Sequence, residues 1–320
     1  MRAHLEIIVF CMLAGVASGQ QQADAPNPAD ALYQAAKADL GAGKYAEAEA
    51  AFRKVAEMDP SSVRGMMGVV GVYLGQKKND EAIALLQEES KKNPNRLDFH
   101  LNIGEIALGA GKFDLAVSEF LFVLNRMPKT NQGAGELYFR IGQAYVGQRK
   151  PDFAIIFLRQ AHELLPGNAK VSILLANTLD GNGQKDAALR VYLAALEADP
   201  NNGAVLNNLA FLLSERGTNL DAALSYAKRA RQLAPDSDAV ADTLGWVSLK
   251  KNLTDEAVGL FREAVQKDPA RSTYRYHLAV ALEQKGDHAA AMEELQAALK
   301  NNPPKDEEPK IRELMAKIGK

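Results

Sequence analysis

The chain holds little of what most enzyme sites are built from. Its 320 residues include one cysteine, Cys11, one tryptophan, Trp246, and five histidines. A lone thiol excludes an intrachain disulfide and a thiolate metal cluster. The histidines His4, His100, His162, His277 and His288 are scattered, and no two stand four apart with a glutamate beside them, the spacing by which a helix holds a hydrolytic zinc. No Gly-x-Ser-x-Gly elbow occurs. The net charge is only −2, with neither a basic stripe nor an acidic tail, so the electrostatic footprint of a nucleic-acid binder is missing. No apolar run reaches the roughly 20 residues that a membrane-crossing helix needs. These absences predict a chain without catalytic residues, metal site or cofactor.

What the sequence has in abundance is periodicity. Proline recurs at Pro60, Pro94, Pro128, Pro166, Pro200, Pro235, Pro269 and Pro303, at spacings of 34, 34, 38, 34, 35, 34 and 34 residues. Twelve residues before each stands an alanine: Ala48, Ala82, Ala116, Ala154, Ala188, Ala223, Ala257 and Ala291. Self-similarity at a period of this length marks a repeat protein.

Between successive prolines lie two apolar-periodic stretches of about a dozen residues around a glycine-containing turn, the pattern of a helical hairpin. In the third unit Leu97, Leu101, Ile103, Gly104, Ile106 and Leu108 make the first helix, and Leu115, Ala116, Phe120, Val123 and Leu124 the second. Gly104 and Ala116 lack bulk, which places a helix crossing there. Ala36, Gly142, Ala176, Ala210, Gly245 and Ala279 repeat the first of these choices, and Val70 departs from it. Asp80, Asp114, Asp152, Asp186, Asp221 and Asp255 stand two residues before the recurring alanine, where a carboxylate is expected to cap the second helix. Proline then ends each unit, and polar pairs such as Asn201–Asn202 and Asp236–Ser237 are placed to cap the next helix. The two GAGK stretches at 41–44 and 109–112 occupy hairpin turns, and Tyr45 or Phe113 stands where a phosphate loop requires Ser or Thr.

A 34-residue helix–turn–helix with a small residue, an alanine and a terminal proline resembles the tetratricopeptide repeat, and the resemblance covers residues 29–303. It implies an all-α fold, a right-handed superhelical solenoid of eight helical hairpins over 29–60, 63–94, 97–128, 135–166, 169–200, 203–235, 238–269 and 272–303. Nearest-neighbour stacking would make the array one quasi-linear body. Ile311, Leu314, Met315 and Ile318 fall on one face of a final helix, expected within 304–320 to cover the last hairpin. Departures are local: a weak second unit, an extra residue near Thr218, and four extra residues before the fourth unit. There the Gly-rich stretch 131–135 is expected to loosen the stacking.

Residues 1–19 read differently. Arg2 precedes an apolar run from Ile7 to Ala17 that ends in small residues, the pattern of a secretory signal peptide cleaved after Gly19. Val9 and Phe10, ahead of Cys11, are too large to resemble a lipoprotein signal. An exported chain, periplasmic or extracellular, is expected, with no transmembrane span after cleavage and a polar linker over 20–28.

The resemblance assigns the first helix of every unit to a concave groove. It implies a partner-binding surface at Tyr33, Lys37, Leu101, Glu105, Phe139, Gln143, Asn177, Asn207, Phe211, Asp242, Trp246 and Tyr276, with Met67, Ile173, Gly71 and Val280 in the same rows. Large rigid aromatic side chains suit binding hot spots. Asn177 and Asn208 lack the companion lysines that family members use to clamp an acidic carboxy-terminus. The expected function is a non-catalytic interaction scaffold for a protein or peptide. An assembly subunit of an envelope secretion or polysaccharide-export system, and an enzyme subunit with a hidden hydrolytic site, are the alternatives. At such a crossing Ala116→Leu should overpack the third hairpin and lower its stability by about 1–3 kcal/mol, measured by denaturant unfolding.

Overall fold

The structure, a computed structural model, describes residues 27–319. The expected signal peptide and most of the linker lie outside the described residues. Seventeen α-helices and no strand are found among the described residues. The chain divides into two compact units, residues 1–164 and 165–320.

The first unit holds four hairpins: α1 (Pro28–Gly41) with α2 (Tyr45–Met58), α3 (Arg64–Gly75) with α4 (Asn79–Lys92), α5 (Leu97–Gly109) with α6 (Phe113–Leu124), and α7 (Gln132–Gly147) with α8 (Pro151–Leu164). The second holds α9 (Ala169–Gly181) with α10 (Lys185–Ala198), α11 (Gly203–Arg216) with α12 (Leu220–Leu233), α13 (Asp238–Lys250) with α14 (Thr254–Lys267), and α15 (Ser272–Lys285) with α16 (His288–Lys300). A last helix, α17 (Glu308–Ile318), follows.

Small residues bring the paired helices together. All eight recurring alanines are completely buried. One turn after the alanine, Phe120, Leu158 and Phe261 each lie against the small residue of the first helix. A Cβ added at Gly104 would come within 2.5 Å of the Phe120 ring, one at Gly142 within 2.6 Å of Leu158, and one at Gly245 within 2.9 Å of Phe261. The crossings therefore lie where the sequence pattern puts them. In the second hairpin the close approach has moved: a Cβ at Gly68 would be 2.2 Å from Phe52, and one at Gly65 2.5 Å from the Ala56 amide nitrogen. Both contacts are with α2, and α3 packs more closely on α2 than on its own partner α4. Val70 can be large because the glycines serve the preceding hairpin.

Five of the six expected aspartate caps, those of Asp80, Asp114, Asp186, Asp221 and Asp255, are not formed. The N-cap positions of α4, α6, α10, α12 and α14 are Lys78, Lys112, Gln184, Asn219 and Leu253, with no side-chain cap bond. The aspartates sit inside the first turn, too far along the helix to fold back on its free amides. They reach instead to the next hairpin, close to the end of its first helix. Lys112 lies 2.9 Å from Asp80, Arg216 2.6 Å from Asp186 and Lys285 2.6 Å from Asp255. Lys251 pairs likewise with Asp221, and Gln148 Nε2 donates to Asp114 at 3.1 Å. A position that repeats every unit thus links unit to unit, while still placing a carboxylate by the positive end of the dipole. True side-chain caps are found on first helices, from Asn27, Asn131, Asn168, Asn202 and Ser237, and on one second helix, α16, from Asp287.

Two further expectations change. The Gly-rich insertion does not loosen the fourth hairpin: Asn131 accepts from the Ala134 amide at 2.8 Å, the extra residues become the first turn of the 16-residue α7, and Ala134 is fully buried. Nor does every hairpin turn use glycine. Gly43, Gly111, Gly183 and Gly286 adopt positive φ, but Lys77, Arg149 and Asn252 take the same left-handed place at φ 62°, 58° and 60°.

Helix α17 covers the eighth hairpin as expected. Ile311 is completely buried with Leu282, Leu295 and Ala298, and Leu314, Met315 and Ile318 pack around it. The left-handed arginine leads to a prediction. Arg149→Gly removes about 1–2 kcal/mol of backbone strain and returns part of it as unfolded-chain entropy. A net gain of about 0.5–1 kcal/mol is expected, read as a higher denaturation midpoint.

Candidate functional site

In the second unit the first helices α9, α11, α13 and α15 lie side by side, each against the next, and α15 against α17. Their shared face is where the groove residues fall. Neighbours along it are separated by one repeat in sequence, so a site is assembled from residues about 35 apart rather than from a local motif.

On α11, Phe211 is 38% exposed, a large ring left in solvent. One turn before it stands Asn207, half-buried, with its Oδ1 buried and without a partner among the described residues. One turn after it, Glu215 accepts a hydrogen bond from the indole Nε1 of Trp246 at 2.7 Å. Trp246 is less free than its position suggests. The His277 ring packs against it at a tilt of 31°, with ring centroids 4.3 Å apart, and the Lys250 ammonium stands 4.8 Å from its ring.

Asp242 is buried, and its Oδ1 lies 2.8 Å from His277 Nδ1. The expectation that Asp242 faces a partner is therefore corrected. A carboxylate in this position is retained by pairing with a buried imidazole, and it ties α13 to α15. Tyr274 adds a second link, donating to Asp238 at 3.1 Å. Tyr276 is half-buried; burial, followed by Glu307, Glu313 and Glu215, pushes its hydroxyl above the usual tyrosine range. Asn177 is exposed and accepts from the Tyr192 hydroxyl at 2.6 Å, and burial pushes that hydroxyl well up.

The first unit presents a different set. Arg140 joins Glu105, at 2.7 Å from Nε, to Gln143, at 3.2 Å from Nη1. Burial pushes the Glu105 carboxyl up, and Arg140 opposes that shift. Leu101 is half-buried and Lys37 exposed. Tyr33 packs edge-on against Phe52 at 5.6 Å, with the Arg64 guanidinium 5.7 Å from its ring. Phe139 and Met67 are buried, which corrects their place in the groove: their apolar surface is removed from water by the fold itself.

Sequence reasoning had not assigned His277, Glu215 or Lys250 to this face. The signal for His277 was its distance of one repeat from Asp242, visible only once the register between units is known. Among the described residues no group of histidine, cysteine and carboxylate side chains is arranged to hold a metal ion. No described helix is long and apolar enough to cross a membrane.

The Asp242–His277 pair generates a prediction. Asp242→Ala strands a buried imidazole and should cost about 1–3 kcal/mol, whereas Asp242→Asn, which can still accept a hydrogen bond, should cost less. Thermal or denaturant unfolding of the two variants checks the order.

Comparison with known proteins agrees with this geometry. Two family models described as tetratricopeptide repeat match, one at residues 33–95, 72–124 and 243–306, the other at 145–210, together more than half of the chain. A TPR repeat-containing protein of Pseudomonas aeruginosa is 24% identical over 200 residues, covering 58% of this chain and 33% of that protein. Cellulose synthase 1 operon protein C of Komagataeibacter xylinus is 24% identical over 279 residues, covering 86% of this chain and 19% of that protein. The chain thus spans a third or less of the length of these curated relatives. The crystal structure of the APC/C hetero-tetramer Cut9-Hcn1 shares the fold, with TM-score 0.60 and 15% identity over 91% of this chain and 56% of that one. Repeats of this kind generally mediate protein–protein interaction and typically form non-catalytic scaffolds. The chain belongs to the tetratricopeptide repeat family.

Proposed function

We propose that this chain is a non-catalytic scaffold that holds a protein segment against the first-helix face of residues 165–320. The observation that carries the reading is Phe211: a 38%-exposed phenyl ring on a face otherwise given to polar contacts, flanked by the unpartnered Asn207 oxygen and by Glu215. An exposed ring in a fixed place loses little entropy on binding. Helices stacked on one another keep these groups in position, so most of the ordering cost falls on the incoming segment.

The repeat boundaries at the eight prolines, the export of the chain on the strength of residues 1–19, and its placement in the periplasm or outside the cell belong to the same proposal. The relation to cellulose synthase 1 operon protein C, extending over 86% of this chain, favours a second reading as an assembly subunit of an envelope polysaccharide-export system.

The test is positional. A photo-crosslinking residue at Phe211 should capture a partner in the source cell, and the same residue at Glu256, exposed on the second helix α14, should not. Phe211→Ala should weaken binding of the captured partner by tenfold or more, the scale of a hot-spot residue. Equal capture at the two positions, or unchanged affinity in the alanine variant, would defeat the proposal.

A further inference from the structure

A repeat protein supplies its own controls. The residue two places after the recurring alanine is exposed in all eight hairpins, so the fold asks little of it. Seven hairpins place alanine, serine, glycine, arginine or glutamate there, whereas α8 carries Ile156, 58% exposed. One place before the alanine the other hairpins carry glutamate, alanine or, at 115, a half-buried leucine; α8 carries Phe153, 53% exposed.

Phe153 is held without being covered. Its ring stacks on Tyr145 of α7 with centroids 5.3 Å apart, and Tyr145 stacks in turn on Phe157 at 5.4 Å. A ring fixed in this way loses little freedom when a partner docks on it. Phe153 and Ile156 stand three residues apart, neighbours on one helix face, and leave together in water an apolar surface that the hairpin does not need.

The polar residues around this surface select its occupant. Phe153, Ile156 and Gln160 follow the three-and-four spacing of a coiled-coil seam, and Asp152 and Arg159 lie together along one side of it. Asp152 has a contact within its own chain and remains exposed. Arg159 is exposed and makes no ion pair among the described residues, not even with Glu163 one turn on. When a second α8 is laid antiparallel across the first with Phe153 of one opposite Ile156 of the other, apolar meets apolar. The same placement brings Asp152 of each helix within reach of Arg159 of the other, so both contacts occur twice about a two-fold axis, as an isologous interface requires. A parallel pairing sets like residues at equal height and loses the charge match. An anionic membrane fits less well, because one Arg beside an Asp falls short of the cluster of about four to eight Lys or Arg that recognises one.

We infer that α8 is the contact helix of a symmetric dimer, in which a second copy of this chain covers Phe153 and Ile156. This surface belongs to a second helix and is separate from the first-helix face that includes Phe211. Its small apolar centre makes the dimer weak, with a dissociation constant in the micromolar range.

The experiment is sedimentation equilibrium of the full chain from about 1 to 300 µM, a span that brackets micromolar dissociation constants. Monomer should pass into dimer across it. Ile156→Arg should weaken association tenfold or more and leave the melting temperature of the dilute chain unchanged, because Arg190 fills the same position in α10. Ile156→Ser, copying Ser225 of α12, gives the same reading should the arginine variant fail to fold. Arg159→Asp should weaken the dimer about fivefold, and adding Asp152→Arg to it should restore the parent affinity. A photo-crosslinking residue at Ile156 should join two copies through residues next to Phe153. A chain that stays monomeric throughout, a dimer indifferent to the Ile156 variants, or a charge exchange without restoration would overturn the inference. Crosslinks from Ile156 to another protein or to lipid, in place of a second copy, would overturn it as well.

Discussion

The close approach of two helices over a residue with almost no side chain is the constraint on which everything else depends. Where Gly104 faces Phe120 and Gly245 faces Phe261, the ring occupies space that a methyl group would claim. This lets each hairpin close on itself and fixes the rotation of the first helix about its axis. That rotation decides which residues of the first helix enter the packing and which remain on the free face. Phe211 and Asn207 owe their position to Ala210, just as Trp246 owes its position to Gly245.

The hairpins are joined by contacts of another kind. The aspartate of one second helix reaches a lysine, arginine or glutamine of the next hairpin in five places, and these links recur because the residues recur. They are exposed and individually weak. Their value lies in register, since a hairpin shifted by a turn would lose them. The buried Asp242–His277 pair performs the same task at greater depth, and it places His277 beneath the indole of Trp246. The face available to a partner is consequently narrower than a count of aromatic residues suggests. Its free members are Phe211, part of Tyr276 and the edge of Trp246.

Much of this architecture was legible in the sequence. The proline and alanine periods placed the hairpins; small residues located their crossings; the last amphipathic stretch became α17 with Ile311 buried as its pattern required. Other residues misled for identifiable reasons. Asp114 and its counterparts occupy a helix start, and a helix start suggests a cap, but their side chains had a stronger partner one unit away. The stretch 131–135 is rich in glycine and suggests a loop, yet capping by Asn131 made it helical. Phe139 and Met67 share the spacing of exposed residues and were buried nonetheless.

The sequence by itself determined the repeating hairpin, because helix period, small-residue crossings and proline stops are local properties that a single chain segment expresses without reference to its neighbours. Only the tertiary structure decided which side chains of the first helices stay free. That outcome depends on contacts between residues about one repeat apart, such as Trp246 with Glu215 and Asp242 with His277, where the same residue type is a surface group or a buried link according to what the adjoining hairpin offers it.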